Sequence, residues 1–265
     1  MIYPLLATLI ISLLSLIGMV TLSLSNKILG KIVILLLSLS AGTLLGGAFF
    51  HLLPEAIHEL GADLALQVSL GSFLLFFLVE KILHWRHCHK PGCKIHSFGF
   101  MNLIGDAIHN FIDGLVIAGA FAIDLRLGLI TTLSIGLHEL PQEIGDFGVL
   151  IHAGFSKARA LFFNFMSAST VILGAVVGYY LSHAVAPVSA LLLALAAGGF
   201  LYIAASDLLP ELRQEKSLRK VMASFFVLLV GISLMYSVTL IFPEHDHGIE
   251  AHQGEIDDCQ SGDCS

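Results

Sequence analysis

NLIGDAIHNFIDG, residues 102–114, and GLHELPQEIGD, residues 136–146, set histidines, carboxylates and amides into the middle of two stretches otherwise apolar enough to cross a bilayer. An ionisable group at that depth costs roughly 2.5–3.5 kcal/mol even on a lenient insertion scale, so it is seldom idle. On a helix, residues three and four apart share a face. Asn102, Asp106, His109 and Asp113 therefore form one polar stripe, with Asn110 at its edge, and His138, Glu139, Gln142, Glu143 and Asp146 form a second. The connection between them is short, centred on 124–127, which makes the two helices antiparallel neighbours with polar centres at similar depth.

The rest of the chain supports a membrane setting. Its 265 residues are 56% hydrophobic and 12% charged, with mean hydropathy +0.88, which argues against a soluble domain. Apolar runs of about 20 residues, the length that spans the hydrocarbon core, recur at 2–24, 32–53, 64–83, 98–122, 128–151, 161–182, 187–209 and 221–242. The expectation is an all-α polytopic membrane protein of eight transmembrane helices forming a single domain over 1–243, followed by an acidic tail over 244–265. The first run lacks a basic flank and a small-residue cleavage site, so it reads as a helix rather than a removable leader.

Basic loops stay on the cytoplasmic side. Of the 13 Lys and Arg residues only Arg126 falls outside the alternate set of connections, so both termini are expected outside the cytoplasm, in a cell membrane. The tail carries no Lys or Arg, in agreement. The net charge of -7 gives no reason to expect nucleic acid as a partner; the expected partners are divalent metal ions and the lipid bilayer.

AGTLLGGAFFHLLPEA, residues 41–56, aligns without a gap with AGGFLYIAASDLLPEL, residues 197–212. His51 matches Asp207, Pro54 matches Pro210 and Glu55 matches Glu211. By the charge count one copy runs outward and the other inward, so helices one to three would mirror six to eight around four and five. Inverted repeats of this kind are a transporter architecture with the site near the midplane. Each proline also frees a carbonyl one turn back, those of Phe50 and Ser206, and Pro141 does the same for Leu137, beside His138.

Imidazole suits zinc, iron, nickel and copper, and carboxylates extend the range toward manganese. A nitrogen and oxygen site without thiolate binds zinc less tightly than a structural cysteine site, as a carrier requires. Glu139 or Glu143 from one helix and Asp113 from the other are placed to bridge two cations.

HNFIDG and HELPQEIGDF closely resemble the fourth- and fifth-helix signatures of the ZIP metal transporters, especially the subfamily with HNFxDG and HExPHExGDF, and LLPE and DLLPEL are family-like too. The resemblance covers essentially the whole chain. It implies eight helices in a 3+2+3 arrangement, import of a divalent metal, chiefly zinc, toward the cytoplasm, and a homodimer. It places metal ligands on His109, Asn110, Asp113, His138, Glu139 and Gln142, with Glu143 adjacent. Two departures stand out. Gln142 replaces the subfamily's second histidine, which opens the preference toward iron, manganese or cadmium, and the stretch from Asn164, NFMSASTVILG, lacks the glutamate that some members carry in helix six.

Several further residues suggest a path. His51, Glu55, His58 and Glu59 form a ladder read as an inlet relay, and Asp207, Glu211 and Glu215 step toward the cytoplasm as an outlet, with Asp106 and Asp146 between. His84, His87, Cys88, His89, Cys93 and His96 crowd the loop over 84–97, read as a loose cytosolic metal acceptor or sensor, with a solvated basic loop as the alternative. In the tail, Cys259 and Cys264 leave a disulfide and a loose metal collector equally open. No phosphate-binding glycine loop is present, so ATP is not expected to drive transport, and no catalytic cofactor is expected. The alternatives are a metal exporter and an intramembrane zinc protease built on HELPQ, one residue from HExxH.

Overall fold

In the computed structural model the described residues are 1–21, 26–85, 95–185, 187–213 and 217–241, and among them every regular element is a helix. α1 is Ile2–Ile17. α2 runs from Asn26–Gly47 through Ala48–Leu52 into Leu53–Leu60. Next come α3 (Ala62–Trp85), α4 (Ile95–Ile123) and α5 (Leu125–His152). α6 is Lys157–Ala184, α7 is Val188–Arg213 and α8 is Leu218–Ile241. Six of these rods, α2, α3, α4, α6, α7 and α8, contain stretches long and apolar enough to cross a membrane; α1 is apolar but shorter. α5 is as long as the others but carries the second polar motif.

Some boundaries differ from the sequence reading. The connection between α4 and α5 shrinks from 124–127 to Asp124 alone, because its carboxylate caps α5, accepting the N–H groups of Arg126 and Leu127 at 2.8 and 3.2 Å. α6 begins at Lys157, ahead of the apolar run, since a helix needs only its middle in lipid.

Large apolar side chains cover the outside, while the interior holds many small and polar ones. Leu70, Leu74, Phe77, Met222, Phe225 and Phe226 on α3 and α8 are all more than half exposed, an apolar surface suited to lipid tails. In the interior, helices approach closely at glycines. A Cβ on Gly114 would lie 1.9 Å from the Val171 carbonyl oxygen, and one on Gly174 would lie 2.0 Å from that of Phe111, so α4 and α6 touch backbone to backbone.

The two aligned segments share their local geometry. Just before each proline the helix widens by one residue: the Leu53 N–H bonds to the Ala48 carbonyl, and the Leu209 N–H to the Ala204 carbonyl. Ala48–Leu52 and Ala204–Leu208 occupy the same positions in the alignment. So do two further glycines. A Cβ on Gly42 would sit 2.2 Å from the Leu228 carbonyl oxygen of α8, and one on Gly198 would sit 2.1 Å from that of Ser69 on α3.

Candidate metal centre

α4 presents His109 and Asp113 one turn apart, and α5 presents His138 and Glu139 in consecutive positions facing them. One ligand atom from each of the four lies within 4.8 Å of the others. The two Nε2 atoms are 3.2 Å apart. His138 Nε2 lies 3.3 Å from Asp113 Oδ2 and 3.4 Å from Glu139 Oε1, and His109 Nε2 lies 3.3 Å from Glu139 Oε1 and 3.7 Å from Asp113 Oδ2. Zinc–ligand bonds of about 2.0–2.1 Å in a tetrahedron imply ligand–ligand edges of about 3.3 Å. The five separations above fall close to that figure.

A second group shares Glu139: one carboxylate oxygen each from Asp106, Glu139 and Glu143 falls within the same 4.8 Å limit. All of these side chains are buried; Glu139 and Glu143 are each 1% exposed. The buried polar atoms left without a hydrogen-bond partner are, at this site, all oxygens: Asp106 Oδ2, Asn110 Oδ1, Asp113 Oδ2, both Glu139 carboxylate oxygens and Glu143 Oε1. Buried acceptors without donors are costly, and a cation is the species that satisfies them together.

Surrounding groups hold the donors in place. His138 Nδ1 is 3.3 Å from the Ser134 carbonyl, which can only accept, so Nδ1 carries the proton and Nε2 offers its lone pair to the site. The Phe200 ring stands edge-on to His138, centroids 5.8 Å apart. Asn164 of α6 donates to the Glu143 carboxylate. Pro141 frees the Leu137 carbonyl as expected, and the Ser40 hydroxyl of α2 reaches it at 2.5 Å. Neither Asn164 nor Ser40 was singled out from sequence. Asn164 lay in a segment noted only for lacking a glutamate, and Ser40 carries no local signal for a bond to a residue so distant in the chain.

The remaining sequence candidates divide. Asn110 and Gln142 donate their amide N–H groups to Asp106 Oδ1, at 2.9 and 3.3 Å, which leaves the Asn110 amide oxygen among the acceptors without a donor. Asn102 donates to Asp146 at 2.9 Å. Asp106, Asp146 and Asp207 line a cavity of about 440 Å³ that also reaches His109, His138, Glu80 and Tyr202. His51 is not among the residues lining that cavity; its Nε2 lies 2.9 Å from the Met235 carbonyl of α8. Glu55, His58 and Glu59 cluster on the last turns of α2 within ligand distance of one another, and Glu211 is exposed on α7. His84 and His96 fall within α3 and α4, whereas His87, Cys88, His89, Cys93, Cys259 and Cys264 lie outside the described residues.

Beyond the metal group, toward the junction of α4 and α5, Leu44, Ile117, Ile135, Leu193 and Phe200 belong to one apolar core, none of them more than 3% exposed. The cavity therefore reaches the site from one end of the bundle, where α4 begins and α3, α5 and α7 finish.

A model of the ZIP zinc transporter family matches residues 1–97 and 86–239. The chain is 35% identical over 222 residues to the zinc transporter ZIP13 of Pongo abelii, covering 77% of this chain and 66% of that protein. It is 32% identical over 262 residues to ZIP13 of Homo sapiens, covering 77% and 70%. To the ZIP13 homolog of Drosophila melanogaster it is 30% identical over 282 residues, covering 81% and 79%. With this match over most of its length and a buried histidine and carboxylate centre between α4 and α5, the chain belongs to the ZIP zinc transporter family.

Proposed function

We propose that this multi-pass membrane protein carries zinc toward the cytoplasm, without ATP, by passing it through the group formed by His109, Asp113, His138 and Glu139. The observation that carries the reading is that cluster of four donors, five of its six separations lying at 3.2 to 3.7 Å, inside a bundle whose surface is apolar. Two carboxylates and two imidazoles offset the charge of one divalent cation, leaving no net charge in a poorly solvating interior. The ligand set lacks sulfur, so the ion is held without being trapped.

In this reading all eight rods cross the bilayer in a 3+2+3 arrangement with both termini outside. Helices α1–α3 and α6–α8 are inverted copies; the paired widened turns and the paired glycine contacts of Gly42 with α8 and Gly198 with α3 support this. The end of the bundle where the cavity opens is then the cytoplasmic one, and the apolar core around Phe200 closes the outer route. Asp106 and Glu143 form a second station sharing Glu139, and Gln142 and Asn110 act on it through Asp106. Residues 1–243 are the transporter domain. A protease reading is disfavoured because Gln142, a neutral amide, stands in the place of the second histidine of HExxH.

The test is uptake of zinc by liposomes containing the purified chain. His109→Ala and Asp113→Ala should abolish uptake and tight zinc binding while the protein remains monodisperse in detergent. Uptake unaffected by either change contradicts the assignment.

A further inference from the structure

α3 is uncharged from Gln67 through Val79 and then carries Glu80, a carboxylate outside both polar motifs. A charged residue near a helix end commonly reaches away from the bundle to find water. Glu80 is exposed, and it lines the same 440 Å³ cavity as His109 and His138. Its carboxylate accepts a hydrogen bond from the Tyr202 hydroxyl of α7. That tyrosine is 5% exposed. Its ring meets Phe73 edge-on at 5.3 Å and rests 6.2 Å from Phe76, so the hydroxyl has a fixed position. Donation to an ionised carboxylate is among the stronger hydrogen bonds and orients its acceptor. Among the described residues no Lys or Arg lines the cavity. At its deep end Asp106, 5% exposed, leaves Oδ2 without a donor.

Resting on the transport reading above, we propose that Glu80 is a further residue of the transit path. It takes the divalent cation from the buried group on its way to the mouth of the cavity, and Tyr202 positions it. The phenol engages one side of the carboxylate and leaves the other lone pairs to the ion. A single carboxylate holds the ion briefly and lets it go.

The experiment uses the full chain with zinc as the probe, in liposomes for initial rates across zinc concentrations and in detergent for equilibrium binding. Glu80→Gln should lower the maximal rate about tenfold, the size of one contact made only in transit, while zinc binding at the buried group stays unchanged. Glu80→Asp should restore most of the rate, and the smaller loss in Tyr202→Phe should vanish when combined with Glu80→Gln, because the phenol acts through that carboxylate. Wild-type rates in Glu80→Gln overturn the proposal. So does parallel loss of rate and binding without rescue by Asp, or a Tyr202→Phe effect that persists undiminished in Glu80→Gln. If the wild-type chain itself moves no zinc, the transport reading falls and this proposal with it. If it does and Glu80→Gln matches it, only the role of Glu80 falls.

Discussion

At the scale of single residues, the centre depends on which atoms are free to bind. The Ser134 carbonyl accepts a hydrogen bond from the Nδ1–H of His138, so its Nε2 faces Asp113 and Glu139 as a lone-pair donor. Protons compete for that same nitrogen, since imidazole binds metal only when neutral. Zinc affinity should therefore weaken as pH falls. Zinc titrations of the detergent-solubilised protein between neutral and mildly acidic pH check this, and binding that strengthens with acid contradicts it. His109 and Asp113 were legible beforehand because helical spacing puts them on one face, and His138 and Glu139 because each has a polar residue one turn on, Gln142 and Glu143. The turning of Asn110 and Gln142 toward Asp106 was not, since a side chain's choice between two nearby partners leaves no periodic mark.

At the scale of helices, close approach and widened turns hold the site in place. Gly114 lies directly after the first motif's Asp113, and α6 presses its backbone against it. Gly114→Ala should force α4 and α6 apart and destabilise the protein by about 1–3 kcal/mol, as overpacking does. Gly71→Ala, where a Cβ meets nothing within 4 Å, should leave stability unchanged or raise it slightly. Thermal unfolding in detergent compares the two, and equal melting temperatures contradict the close-contact account. Both prolines of the aligned segments were visible in sequence, as was the loss of a hydrogen bond at each. The widening by one residue before them was not, because it depends on how the neighbouring turns share their carbonyls. The bonds from Ser40 to Leu137, Asn164 to Glu143 and Tyr202 to Glu80 join distant parts of the chain, and local patterning carries no record of them.

At the scale of the whole molecule, a buried group is reached through a cavity from one end and backed by apolar core on its far side. Val79 lines that cavity and is 37% exposed. With the four native cysteines replaced by serine, Val79→Cys in oriented vesicles should react with a membrane-impermeant thiol reagent from the cytoplasmic side. Labelling only from the outer side would invert the proposed orientation. The most direct test of the central claim, that α4 and α5 together hold one cation, is zinc-edge X-ray absorption on the wild-type chain loaded with a single equivalent. The account predicts a shell of imidazole nitrogen and carboxylate oxygen at about 2.0–2.1 Å, lost in His138→Ala. A sulfur shell at about 2.3 Å, or a nitrogen and oxygen shell indifferent to His138, would place the ion elsewhere and contradict it.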